Sequence, residues 1–225
     1  MPGVIALYRS SVGKKVAMAA SGVVLFLWIV GHVYGNLKAF QGPDAINAYA
    51  EHLREMGEPL LGHGQVLWAI RLLLLAALVV HVVAATQVTL QSRAARPVAY
   101  RQPPHLELSY ASRTMRWGGV ILLLYVVYHL MHLTWGTAHR DFVPGDVYHN
   151  LVAGFQLWPV TLAYLAATLA LALHLYHGLW SAFQTLGANH PAYNAWRRPL
   201  AAAFAVLLFA GFAAVPVAVQ IGVLR

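Results

Sequence analysis

The sequence predicts an all-α fold, a membrane-spanning bundle of five transmembrane helices, and three observations carry that prediction. Hydrophobic residues make up 60% of the 225 and charged residues only 10%, at a mean hydropathy of +0.60, far more apolar surface than one soluble core of this length buries. Five apolar stretches are each long enough, at about 1.5 Å per helical residue, to cross about 30 Å of hydrocarbon. The connections between them are short, so residues 1–225 read as one domain.

The first span covers about 16–37, between Lys15 and Lys38. Its length, and the lack of a small-residue cleavage site after it, make it a span rather than a cleavable signal. Asp44 is placed to cap a short helix, about 45–56, whose Ile46, Tyr49, Leu53 and Met56 recur at helical spacing before Gly57 and Pro59. That helix reads as amphipathic and lying on the membrane interface. The second span covers about 66–90, and the stretch from Gln91 to Arg116, with its Arg-Pro and Pro-Pro steps, is the longest polar connection and a contact surface for a soluble partner. Ser112 is placed to cap the third span, about 117–136, with Arg113 and Arg116 at its start. Asp146 to Phe155 looks like a weaker interfacial helix, and the last two spans cover about 155–182 and 200–224.

Charge placement orients the bundle. With the N-terminus inside, the inner surfaces collect Arg9, Lys14, Lys15, Arg93, Arg96, Arg101, Arg113, Arg116, Arg197 and Arg198, while Lys38, Arg54, Arg71, Arg140 and Arg225 lie outside. Of the acids, only Glu107 falls inside. The net charge of +8 is therefore a topology signal, and the absence of aromatic-basic interleaving gives no reason to expect nucleic acid. There are no cysteines, so this chain offers no disulfide, thiolate-ligated haem or iron–sulfur cluster.

Each of the first four spans carries a histidine in its apolar interior: His32, His81, His129 and His174. An imidazole in hydrocarbon must find a partner. His132 and His177 follow at helical spacing, making two HxxH pairs on two helices, and periodicity alone does not choose between the members of either pair. Helical rise places His32 about 24 Å and His129 about 18 Å from the inner ends of their spans, whereas His81 and His174 lie about 12 to 14 Å from the inner edge. The four separate into two layers, His32 with His129 in the outer half and His81 with His174 in the inner half. The separations of 97 and 93 residues follow the same pattern. A lone histidine in a membrane helix is ordinarily a hydrogen-bonded structural residue, but two layers drawn from alternating helices suit bis-imidazole haem ligation, with the haems between the first four helices. His52, His63, His105, His139, His149 and His190 fall in loops or interfaces, where a solvated ring is expected.

The runs GHVYGNL, VVHVVAA, RWGGVILLLYVVYHLMHLTWG and ALHLYHGLWSAFQTLG around these histidines resemble the diheme cytochrome b membrane anchor of succinate dehydrogenase and fumarate reductase, the single-polypeptide kind with five spans. The resemblance covers nearly the whole chain and is strongest in the third and fourth spans. It selects His129 over His132 by the distance from Arg116 and Gly119, and His174 over His177 by the Gly178-Leu179-Trp180 run that follows. It implies two b haems with His32, His129, His81 and His174 as axial ligands. It also implies a flavoprotein subunit and an iron–sulfur subunit on the cytoplasmic side, and a membrane quinone, menaquinone or ubiquinone, at a site that remains unassigned. The location it implies is a bacterial inner membrane, with the N-terminus cytoplasmic and the C-terminus outside. Arg113 and Arg116 near the inner haem, Arg71 near the outer one, and His132 and His177 are the candidates for propionate or neighbouring contacts. Some relatives move protons through intramembrane glutamates, and this chain has no acid within a span. Two other readings share the four-histidine pattern: a diheme b anchor of a hydrogenase or formate dehydrogenase, and a haem-free transporter with a polar histidine network.

Overall fold

A computed structural model describes residue 3 and residues 8–95, 110–188 and 190–225, with side chains of the third long helix described from residue 114. The described residues form helices and turns without strands: α1 (Ser11–Leu37), α2 (Pro43–Glu55), α3 (Gln65–Ala94), α4 (Tyr110–Leu133), α5 (Val147–Gln156), α6 (Trp158–Thr185) and α7 (Pro191–Gln220). Five of these, all but α2 and α5, are long and apolar enough to cross a membrane. Their flanks expose Leu72, Leu73, Leu124, Val206 and Leu207, as helices surrounded by hydrocarbon do.

The ends of the elements differ from the sequence reading for identifiable reasons. Gly42, not Asp44, occupies the cap of α2, with Pro43 opening the helix and Asp44 in its first turn. Ser112 is inside α4, which starts at Tyr110, so the cap expected there is not formed. The third span stops at Leu133, where the Leu130 carbonyl accepts from Thr134 and also, across a wider i to i−5 turn, from Trp135. The fourth starts at Trp158, since Leu157 is extended and Pro159 sits in the first turn. Phe155 therefore belongs to α5. The fifth runs from Pro191, through Pro199 and Pro216, to Gln220. A proline inside a helix removes one backbone bond, and packing along the buried Ala201, Ala205, Leu208 and Val215 holds the element together. The polar connection lies largely outside the described residues, and Arg96, Arg101, His105 and Glu107 are among those not described.

The packed core gathers at one end of the bundle, where α2 and α5 meet. Ala39, Ile46, Leu151, Val152, Phe155, Tyr164, Val215 and Val219 form it. The helix α5 is thus a buried plug, with Asn150, Leu151, Val152, Gly154 and Phe155 enclosed, rather than the weak interfacial helix expected. The break between α5 and α6 is satisfied by neighbours: the Phe155 carbonyl accepts from Thr161 Oγ1 at 2.9 Å and from Gln220 Nε2 at 2.5 Å. Among the long helices, α1 packs on α3, α6 on α7, and α4 on α6. Phe26 of α1 meets Phe204 of α7 edge to face at 5.5 Å.

Asp146 joins the two short helices. Its carboxylate accepts from the His149 N–H and from Asn47 Nδ2, both at 3.0 Å, while Asn47 Oδ1 accepts from the Tyr148 N–H. The His149 N–H, and then the Asn47 amide, hold this carboxyl below the usual carboxylate range. A depressed folded value means that the contribution is complete above the unfolded carboxylate pKa and is lost as pH falls through the lowered one. Asp146→Ala should cost about 1 kcal/mol of stability, read as a lower thermal midpoint in detergent at neutral pH. The difference from wild type should close under acid. A constant difference at every pH would show that the carboxylate charge is irrelevant.

Candidate functional site: two histidine pairs

Helical rise from the observed ends sets the depths. His32 lies about 8 Å and His129 about 6 Å from the ends of their helices at the α2/α5 end of the bundle, whereas His81 and His174 lie about 24 Å from their starts at that same end. The structure brings the residues of each layer together. The rings of His32 and His129 are 5.8 Å apart, centroid to centroid, and those of His81 and His174 are 6.1 Å apart. Each pair joins two helices, α1 to α4 and α3 to α6, that among the described residues make no extensive backbone packing of their own.

The surroundings of each ring determine which nitrogen is available. His81 Nδ1 is 2.9 Å from the Met18 carbonyl. A carbonyl only accepts, so Nδ1 carries the proton and donates, and Nε2 keeps a free lone pair. Gly22, one helical turn beyond Met18, lets the ring approach: a β-carbon there would stand 3.2 Å from His81 Cε1. His129 Nδ1 is 3.3 Å from the Tyr164 hydroxyl, which again leaves Nε2 outward. His174 Nδ1 is buried with no hydrogen-bond partner among the described residues. His32 is stacked on Trp28 at 5.9 Å and flanked by Phe212.

His132 and His177 sit differently. The His132 ring, 1% exposed, lies between Tyr128, 5.5 Å away and 9° from parallel, and His139, 4.8 Å away. Its Nδ1 is 3.0 Å from the Tyr164 hydroxyl, and a β-carbon on Gly154 would come within 2.9 Å of its Nε2. Protein therefore closes both faces and both nitrogens of His132. His139 is correspondingly not a solvated loop residue: it stacks on His132, and its Nε2 donates to the Asn150 carbonyl at 2.9 Å. His177 turns toward Trp180, at 5.8 Å, with a buried Nδ1 that has no hydrogen-bond partner among the described residues. Of the arginines, Arg71 is exposed with its guanidinium 5.0 Å over Trp68, and Arg116 is exposed near the start of α4. The side chain of Arg113 lies outside the described residues.

Tyr164, Gly22 and Gly154 were not singled out from the sequence. The available signal for the tyrosine was a phenol inside a membrane helix, which needs a partner for its hydroxyl. Nothing in the sequence marks the glycines, because close approach is a property of two helices at once.

These pairs suit a particular kind of group. Among the described residues no three metal-ligating side chains converge, so a closed all-protein metal site is not formed. Two imidazoles on opposite sides of one metal, each about 2 Å from it, put their ring centroids about 6 Å apart, as both pairs have them. The donor set is nitrogen from neutral imidazole in an apolar setting, which suits a haem iron.

The fold and the pairs together define a multi-pass helical membrane protein with paired intramembrane histidines at two depths. The chain belongs to the succinate dehydrogenase/fumarate reductase transmembrane subunit family, whose profile matches residues 92–214, more than half of its length. The match takes in His129 and His174 and begins in the last turn of α3, so that His32 and His81 lie before it. No curated protein and no solved structure matches the chain. As a member of this family the chain is a membrane subunit of a succinate dehydrogenase or fumarate reductase complex, an oxidoreductase assembly with soluble flavoprotein and iron–sulfur partners.

Proposed function

We propose that the chain is the diheme cytochrome b anchor of a succinate:quinone oxidoreductase, with His32 and His129 holding one b haem and His81 and His174 the other. The observation that carries this reading is the presence of two histidine pairs, 5.8 and 6.1 Å between rings, about 16 Å apart in depth by helical rise. When bound, such haems supply one-electron carriers between a water-facing iron–sulfur subunit and a lipid-soluble quinone, either menaquinone or ubiquinone. Each pair would hold its haem with two imidazole nitrogens, Nε2 in the case of His81 and His129, and a bis-imidazole haem would transfer electrons rather than bind oxygen. The Met18 carbonyl orients His81, and apolar helices exclude water. His177 offers a buried, unsatisfied Nδ1 as a propionate partner on the inner side, where Arg113 and Arg116 add positive charge at the start of α4. Arg71, about 9 Å into α3 by helical rise, shares the depth of His32 and His129 and is assigned to the outer group.

The positive charges orient the bundle with the N-terminus cytoplasmic and the C-terminus outside a bacterial inner membrane, so the flavoprotein and iron–sulfur subunits dock on the arginine-rich side. The chain itself performs no dehydrogenation. The test is a reduced-minus-oxidised visible spectrum of membranes holding the assembled complex. Succinate should produce b-type haem bands, and a featureless spectrum after dithionite would remove the haems from this account.

A further inference from the structure

The Tyr164 hydroxyl touches Nδ1 of His129 at 3.3 Å and Nδ1 of His132 at 3.0 Å. We infer that Tyr164 is a positioning residue for His129 as the haem ligand, holding its Nδ1 in a hydrogen-bonded chain that His132 completes. The inference rests on the haem-anchor reading above.

A phenol has one hydrogen to give and two lone pairs to accept with. A histidine that offers Nε2 to a metal keeps its proton on Nδ1, so His129 Nδ1–H donates to the Tyr164 oxygen. The tyrosine's single hydrogen is then left for His132, whose Nδ1 accepts it and whose proton sits on Nε2. Were both imidazoles to donate, neither ring would accept the buried O–H. The opposite polarity would put the His129 proton on Nε2 and block ligation there.

Packing holds the hydroxyl between the two rings. Tyr164 is 5% exposed and belongs to the core, and its ring stands edge to face against Tyr125, at 5.1 Å, and Phe155, at 4.8 Å. The hydroxyl therefore has little freedom to turn away. Among the described residues no such relay serves the other layer, where His81 donates to a backbone carbonyl and His174 Nδ1 has no partner.

A donor bond from Nδ1–H makes the imidazole more basic and favours the oxidised metal. Tyr164→Phe should raise the outer haem's midpoint potential by about a tenfold change in relative affinity for the two oxidation states, which is about 59 mV for a one-electron couple. His132→Leu removes only the acceptor that polarises the phenol, so it should shift the same potential the same way by less. In the Tyr164→Phe background, His132→Leu should add nothing. His132→Asn, whose amide oxygen can accept near the position of Nδ1, should restore the wild-type value. The inner haem should not move in any of them.

The measurement is an optical and paramagnetic-resonance redox titration of the purified complex. A wild-type complex lacking an outer low-spin haem would defeat the haem-anchor reading itself. With both haems present, unchanged midpoints in Tyr164→Phe and His132→Leu would overturn the relay alone. Loss of the low-spin signal in His132→Leu would overturn it too, by making His132 the ligand. If Tyr164→Phe does not assemble, the contrast between His132→Leu and His132→Asn decides the matter: equal midpoints refute the relay, and a shift in Leu restored in Asn supports it.

Discussion

Each complex is expected to carry two b haems per copy of this chain, and any one of four substitutions should remove about half of that haem. His32→Ala or His129→Ala should cost the outer haem, and His81→Ala or His174→Ala the inner one. The expectation follows from the separation of the layers: each pair closes on itself at 5.8 or 6.1 Å, and the pairs lie about 16 Å apart along the bundle. An axial ligand cannot be truncated to a methyl group without opening the iron's coordination, whereas the helices that carry the second pair keep their own contacts. A pyridine haemochrome assay on wild type and the four variants reads this directly. One haem or none in the wild type would sink the two-layer assignment, and loss of both haems from a single, still-assembled variant would show that the layers are coupled.

The second large effect separates ligand from neighbour in the HxxH pairs. His129→Ala should abolish the low-spin signal of the outer haem and His174→Ala that of the inner haem, while His132→Ala and His177→Ala should keep both haems low-spin. For the outer layer the reason is packing: His132 is enclosed by Tyr128, His139 and Gly154, so it has no open nitrogen. For the inner layer the reason is direction, since the His174 ring meets His81 whereas that of His177 meets Trp180. Low-spin haem persisting in His129→Ala, together with its loss in His132→Ala, would place the true ligand one helical turn further along α4.

Much of this architecture is legible in one dimension. Apolar length marks five crossings, and counting residues from the charged ends sorts His32, His81, His129 and His174 into two depths, because rise per residue is nearly constant in a helix. Helix ends are less legible. Leu133, Trp158 and Pro191 are boundaries set by local bonding: a doubly used carbonyl at Leu130, an extended Leu157, and a His190 cap whose Nδ1 accepts from the Ala192 N–H. The interfacial reading of residues 146–155 failed for a related reason. Asn150 is buried and accepts from the Val143 N–H while donating to the Val143 carbonyl, so its polar side chain faces protein.

What the sequence determined by itself was therefore the membrane class, the number of crossings and the depth of each histidine, all of which follow from hydropathy and the fixed rise of a helix. What only the tertiary structure decided was rotation: that His129 turns to His32 while His132 turns into the core, that the Met18 carbonyl and the Tyr164 hydroxyl take the Nδ1 positions, and that Gly22 and Gly154 admit the rings. The physical reason is that a helix apolar on every side carries no stripe to say which face points inward. Its rotation is settled by the contacts of neighbouring helices, which no single span encodes.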